Sequence, residues 1–431
     1  MKKTLLSVII SIGFTGSLHA QDLSTIYQQA LDKDPVVNRA KALRDVSLEG
    51  VTLARAPLLP QVSGSIGYSM SDTDDVETDT LNYRVGLSMS LYDHANWVGM
   101  DRAEKVAQQA EATYAATLQD LIVRVVDAYL NILRAKDNVE FVQAEKRAIE
   151  RQLEQTKQRF EVGLIAITDV HEAQANFDTT IAQEIRAQNT LELRKEQLRE
   201  ITGLYYAQVN TLNTETFAAQ APAPETVEAW LELAQLNNLD LQAQRFAVDI
   251  AKADIDANKA GHLPTLGLSG SLSRSDFERD GFDSDTDTSS LGVTLSVPIY
   301  SGGATTSRTE QSRSRFVAQS QTLEQTYRGT VSNVRNSFND IGANISTIKA
   351  FEQAVVSAES ALRATEEGFD VGIRTIVDVL NSTRNLFNAR KNLANARYDF
   401  ISAVISLKRA AGTLTVADIE ALNRGLEVAA N

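Results

Sequence analysis

The 431-residue chain has no cysteine. That absence excludes disulfides, a thiolate nucleophile, a cysteine-based metal site and a lipid-modified N-terminal cysteine. Histidine is scarce too: His19, His94, His171 and His262 are all there are, and no two lie close in sequence. Basic residues are outnumbered, 42 Lys and Arg against 56 Asp and Glu, for a net charge of −14. Such a chain lacks the surplus of positive charge that a phosphate backbone demands, so nucleic acid is not an expected partner. There is no Gly-Lys dipeptide, hence no phosphate-binding P-loop, and no His-Glu-x-x-His zinc motif. No catalytic constellation is left, so the chain reads as a non-enzyme that calls for no cofactor or metal.

Long apolar runs are also missing. Beyond residue 20 no segment reaches the roughly 18 apolar residues of a membrane-spanning helix. Residues 1–20 read as an export signal, with Lys2 and Lys3 ahead of an apolar stretch from Leu5 to Leu18 and a small residue, Ala20, for cleavage. An exported chain without a membrane helix is periplasmic, secreted or part of a β-barrel.

Proline is confined to seven places: Pro35, Pro57, Pro60, Pro222, Pro224, Pro264 and Pro298. Pro222 and Pro224 form a stiff Ala-Pro-Ala-Pro linker between two halves that repeat one another. Phe160-Glu161-Val162-Gly163-Leu164 returns as Phe369-Asp370-Val371-Gly372-Ile373, an offset of 209 residues. The same offset relates Val125 to Val334, Tyr129 to Phe338, Ile132 to Ile341 and Gly203 to Gly412. A repeat on this scale fixes architecture. The expected organisation is a signal peptide (1–20), a first repeat (21–203), a linker or equatorial segment (204–224), a second repeat (225–412) and a C-terminal equatorial segment (413–431). Each repeat holds a helix, a β-hairpin (60–92 or 263–300), a long helix and a shorter one.

From Ala95 to Arg159 only Gly99 interrupts a stretch of good helix formers, and the partner stretch from Thr305 to Glu367 is broken only by Gly329 and Gly342. Leu118, Ile122, Val125, Tyr129 and Ile132 follow a 4-3-4-3 spacing, as do Val334, Phe338, Ile341, Ile345 and Ile348. That period keeps one apolar stripe facing a partner helix and implies left-handed coiled packing. The glycines at 163 and 372 supply left-handed turns, after which shorter helices run from Asp169 to Ile201 and from Val377 to Ala410.

Two regions alternate instead. Val62, Gly64, Ile66, Tyr68 and Met70 share one face, and Leu81, Tyr83, Val85, Leu87, Met89 and Leu91 share the next, across an expected acidic loop from Ser71 to Thr80. Leu291, Val293, Leu295, Val297 and Ile299 repeat the pattern, with Pro298 counted in the strand. About ten residues of alternation with small polar residues on the second face is the pattern of a barrel strand between lipid and water. Tyr92, Trp97 and Tyr300 fall where an interfacial aromatic girdle would lie. Four strands cannot close a barrel, and eight give an interior filled by side chains. A water-filled barrel therefore needs at least three subunits and about 12 strands.

These features together resemble the TolC family of outer-membrane efflux proteins, also called outer membrane factors. The resemblance is carried by Pro57-Leu58-Leu59-Pro60, Gln158 to Val170, Gly261 to Leu266, Leu295 to Tyr300 and Gly372 to Leu380, and spans nearly the whole chain after the signal. It implies a mainly α fold with transmembrane β-structure: a homotrimer with a 12-stranded β-barrel in the outer membrane and a 12-helix periplasmic α-barrel. It implies docking to a periplasmic adaptor and an inner-membrane efflux pump or secretion ATPase. The cargo would be drugs, amphiphiles or proteins. By resemblance, Asp378 forms the pore constriction, and the family's second aspartate is Asn381 here, which lightens the ring. The gating network maps to Arg374, Thr168 and Asp169, with Phe369 replacing a tyrosine and losing its hydrogen bond. The tips Val162-Gly163-Leu164 and Val371-Gly372-Ile373 become adaptor-docking grooves. Without the resemblance, Asp169 and Asp378 read as helix caps.

Asp283-Ser284-Asp285-Thr286-Asp287 imitates the start of a calcium loop, but Thr288 and Thr294 occupy the places of the required glycine and glutamate. It reads instead as a solvated acidic extracellular loop. A secreted coiled-coil stalk would explain the heptads but neither the amphipathic hairpins nor the duplication.

Overall fold

The computed structural model describes residues 21–73, 76–279 and 281–427; the expected signal segment lies outside them. The first half contains α1 (Leu23–Lys33), α2 (Pro35–Arg55), β1 (Gln61–Thr73), β2 (Val76–Tyr92), α3 (His94–Glu161) and α4 (Ile167–Thr202). After β3 (Thr211–Leu212), the second half gives α5 (Val227–Asn237), α6 (Leu239–Lys259), β4 (Thr265–Arg279), β5 (Phe282–Ser296), α7 (Ala304–Asp370) and α8 (Ile376–Ala410). The chain closes on α9 (Val416–Asn423) and β6 (Leu426–Glu427). The halves match closely: the long helices have 68 and 67 residues and the shorter ones 36 and 35.

At ~1.5 Å per residue, α3 and α7 are each about 100 Å long. Gly99, Gly329 and Gly342 sit inside these helices without breaking them. Alanine and glutamine follow Gly99, but serine, threonine and asparagine surround Gly329 and Gly342, so in α7 the buried seam rather than local propensity carries the helix through its glycines. The 4-3-4-3 seam is the core. Ile122, Val125, Tyr129 and Ile132 of α3 and Val334, Ile341 and Ile348 of α7 are buried in one cluster. That cluster also takes Leu23 and Ile26 of α1, Trp230 of α5, Leu407 of α8 and Ile419 of α9. It therefore lies where α1, α9, the β3–β6 pair and the middles of the long helices meet. Tyr129 is fully buried there and donates to the carbonyl of Asn210 at 2.7 Å.

Two helix junctions, α1–α2 and α5–α6, use the same device with different chemistry. Asp34 ends α1 and caps α2, accepting from Val37 N–H at 2.8 Å. Its side chain is 1 % exposed and receives the Arg124 guanidinium of α3 at 2.8 and 3.0 Å. Burial pushes the Asp34 carboxyl up, but the bonds from Arg124 and Val37 outweigh it and hold it below the usual carboxylate range. In the second half Asn238 caps α6 through Leu241 N–H at 2.9 Å and donates to the carbonyl of Ala410 at 2.9 Å.

The four long strands form one antiparallel sheet in the order β1-β2-β4-β5, so β1 and β5 are its edges. Register places Val62 opposite Leu87, Ile66 opposite Tyr83, Val85 opposite Leu272 and Leu268 opposite Val293. One face is apolar and uncovered: Val62, Ile66, Leu272, Leu291 and Leu295 are 71, 74, 64, 78 and 64 % exposed. Helices do not pack on it. Among the described residues no helix is long and apolar enough to cross a membrane.

Three strand expectations are corrected. Most of the acidic stretch from Ser71 to Thr80 is strand, with Asp72 paired to Glu77 and Ser71 to Thr78. Asp283 to Asp287 likewise belongs to β5, paired to β4, and is not a loop. Acidic residues discourage strands in isolation, but here the ladder pairs them and Arg274 of β4 offsets their charge, reaching Asp285 on β5 at 2.8 Å and Asp276 along its own strand at 3.0 Å. Finally, β5 stops at Ser296, so Val297, Pro298 and Ile299 lie outside it. Proline has no N–H to give the ladder.

Candidate functional site

α3 and α7 run to the same end of the molecule, and both finish in a left-handed glycine turn. Gly163 has φ +76° and Gly372 φ +80°, a region costly to any residue with a Cβ. The turns are closed alike: Leu164 N–H donates to Arg159 O at 2.9 Å, and Ile373 N–H to Gly368 O at 2.9 Å. The tips leave their apolar residues bare, with Val162 at 70 %, Leu164 at 73 %, Val371 at 71 % and Ile373 at 78 % exposure.

Beyond the turns the two tips differ. α8 opens with a reciprocal capping box: Asp378 N–H donates to the Thr375 hydroxyl at 3.3 Å, and Thr375 N–H donates to the Asp378 carboxylate at 2.9 Å. The N–H and hydroxyl of Thr375, with Arg374 adding its charge, hold the Asp378 carboxyl below its usual range. The corresponding start of α4 has Ala166 at the cap and no side-chain bond; Asp169 sits in its first turn, half-buried. Asn381, one turn on from Asp378, is exposed, as are Arg374 and Thr168. Among the described residues of one protomer, no hydrogen bond or ion pair joins Arg374 to Thr168 or Asp169. The Arg374 stem instead lies over Gly368, where an added Cβ would come within 2.8 Å of Cγ.

Phe369 is buried, at 8 % exposure, in a small apolar cluster with Ile149 of α3 and Ile376, Val379 and Leu380 of α8. Arg159, which the sequence reading did not assign, covers it. Its guanidinium stands 4.3 Å from the Phe369 ring centre, donates to the Phe369 carbonyl at 3.2 Å and pairs with Asp370 at 2.7 Å. The available signal was the repeat itself, because 209 residues after Arg159 stands Gly368. Further up the same seam Gln152 donates to Thr383 at 3.2 Å. At the other end of the helices Tyr92 closes β2, Trp97 lies in the first turn of α3, and Tyr300 follows β5. They are 43, 56 and 88 % exposed.

A lipid-facing half-sheet with two open edges, standing on coiled helices some 100 Å long by their rise per residue, defines a channel-tunnel protein: part of a β-barrel continued as a helical tunnel. The comparisons agree. The family model "Outer membrane efflux protein" matches residues 26–204 and 230–413. Outer membrane protein TolC of Vibrio cholerae is 48 % identical, with all of both chains covered. The alkaline protease secretion protein AprF of Pseudomonas aeruginosa is 31 % identical over 91 % of this chain and 85 % of its own. The outer membrane protein VceC of Vibrio cholerae shares the fold, with a TM-score of 0.78 and 21 % identity over 90 % of this chain and 96 % of its own. The chain belongs to the outer membrane efflux protein family. It is an outer-membrane exit duct with a large helical periplasmic portion.

Proposed function

We propose that three copies close the sheet edges β1 and β5 into one barrel, and that the resulting duct is passive, gated at the tips and driven by a partner rather than by chemistry of its own. The open-edged sheet with an uncovered apolar face carries this reading, since unpaired backbone groups are intolerable in lipid. Tyr92, Trp97 and Tyr300 mark the membrane interface at the barrel's periplasmic rim. Three Asp378 carboxylates converge as a cation-selective constriction, with Asn381 contributing no second ring of charge. Arg374 works with Thr168 and Asp169 to hold the mouth closed, and Phe369 anchors that mouth by burial instead of a hydrogen bond. The bare tips Val162-Gly163-Leu164 and Val371-Gly372-Ile373 receive a periplasmic adaptor that couples the duct to an inner-membrane efflux pump or secretion ATPase. Small amphiphiles are the expected cargo, and the likeness to AprF supports exported proteins as a second.

The test is single-channel recording of the purified protein in planar bilayers, with cross-linking to count subunits. A small, cation-preferring conductance from a trimer is expected. Absence of any pore would overturn the duct, and a pore whose conductance ignores Arg374→Ser would remove Arg374 from the gate.

A further inference from the structure

The two long helices end at the same tips, and each presents the negative end of its macrodipole there. α3 has a cation, Arg159, in its last turn, whereas the last turn of α7 has no basic residue. α7 instead finishes with Glu366, Glu367 and Asp370, which is the wrong sign for a helix C-terminus.

We infer that Arg159 is a gating residue: a clasp reaching from the first helical pair to the second and holding the ends of α3 and α7 together in the closed duct. One guanidinium makes three contacts on α7, stacking on the Phe369 ring at 4.3 Å, donating to the Phe369 carbonyl at 3.2 Å and pairing with Asp370 at 2.7 Å. The planar fork of arginine suits this combination, which lysine cannot reproduce. Beneath the clasp, Ile149 of α3 packs into the cluster of Phe369, Val379 and Leu380, so loosening the clasp exposes that seam. Separation of the pairs would strand Asp370 without its ion-pair partner. The clasp is distinct from the proposed Arg374 contacts with Thr168 and Asp169, and it uses a residue for which the second repeat has Gly368.

The inference rests on the gated-duct reading, and the experiment separates the two. Assembled trimers of the unsubstituted protein and of Arg159→Gln, Arg159→Lys, Asp370→Asn and the exchange Arg159→Asp/Asp370→Arg are compared in planar bilayers. Heat-resistant trimer on gels confirms assembly for each. Arg159→Gln is expected to raise mean conductance several-fold, with Arg159→Lys and Asp370→Asn intermediate. The exchange should return conductance towards the original value, which a merely structural role for Arg159 would not produce. Arg159→Gln trimers conducting within twofold of the original overturn the clasp, and so does an exchange no more closed than Arg159→Gln. If Arg159→Gln does not assemble, Asp370→Asn and the exchange decide by the same criteria. A pore missing from the unsubstituted protein would instead refute the duct.

Discussion

The two halves of this chain began as one sequence, and equivalent residues now have opposite surroundings. Phe160 and Phe369 hold the same place before each glycine turn, yet Phe160 is 38 % exposed and Phe369 is 8 % exposed. Gly203 and Gly412 both end a short helix with φ +71°, but a Cβ at Gly203 would meet nothing, whereas one at Gly412 would collide with the backbone of Asn237. Asp34 and Asn238 cap matching helices, but Asp34 also forms an ion pair with the part-exposed Arg124, whereas Asn238 makes only neutral amide bonds. Asp378 is locked into a capping box, and Asp169 has no such bond. Duplication supplied the scaffold, and later divergence put the tighter packing at the second tip and the charged anchor in the first half.

The largest expected asymmetry is at the glycines. Gly412→Ala meets backbone that cannot rotate away and is expected to lose more than about 4 kcal/mol, enough to prevent assembly. Gly203→Ala suffers only the left-handed strain, about 1–2 kcal/mol. Trimer yield and thermal unfolding of the pair check this, and equal losses would break the comparison. Next comes the anchor. Asp34→Ala removes a cap and the partner of the part-exposed Arg124 and should destabilise by about 2 kcal/mol, against about 1 kcal/mol for the neutral cap in Asn238→Ala. Because the Asp34 carboxyl is held below its ordinary value of 3.8, its contribution is complete above that pH and is lost as pH falls through its lowered folded value. The unfolding temperature should therefore fall with acidification below about pH 4 in the original protein and fall less in Asp34→Asn, with no difference in slope expected above that pH.

At the tips, Phe369→Ala should remove about 3 kcal/mol of local stability and Phe160→Ala less than about 1 kcal/mol. Amide exchange at 365–380 and 156–170 reads the difference. The smallest structural effect is at the paired aspartates. Asp378→Asn weakens a cap, which is worth about 1 kcal/mol at most, but should reduce cation preference and block by multivalent cations. Asp169→Asn should change neither. Persistence of both properties in Asp378→Asn would place the constriction elsewhere.

Much of the fold follows from pattern alone. Period 3.5 over fifteen residues in each half, period 2 over ten, and a 209-residue repeat are local or linear features, and each survives translation into structure because backbone geometry enforces it. The acidic runs around Asp72 and Asp283 suggest solvated loops, and only the sheet supplies the pairing that makes them strand. Arg159 sat unassigned within a stretch already singled out, since its three contacts lie 210 and 211 positions away. The Arg124–Asp34 pair spans 90 positions and carries no local signature.

The sequence by itself determined the duplicated architecture, the long coiled helices, the amphipathic hairpins, the glycine turns and the membership of an outer-membrane efflux family. The tertiary structure decided which copy of each repeated residue is buried, which aspartate is a cap, where β5 ends and what Arg159 grips. The reason is physical. Periodicity fixes which face of an element turns inward, whereas the partner met there depends on how two unequal copies pack against each other.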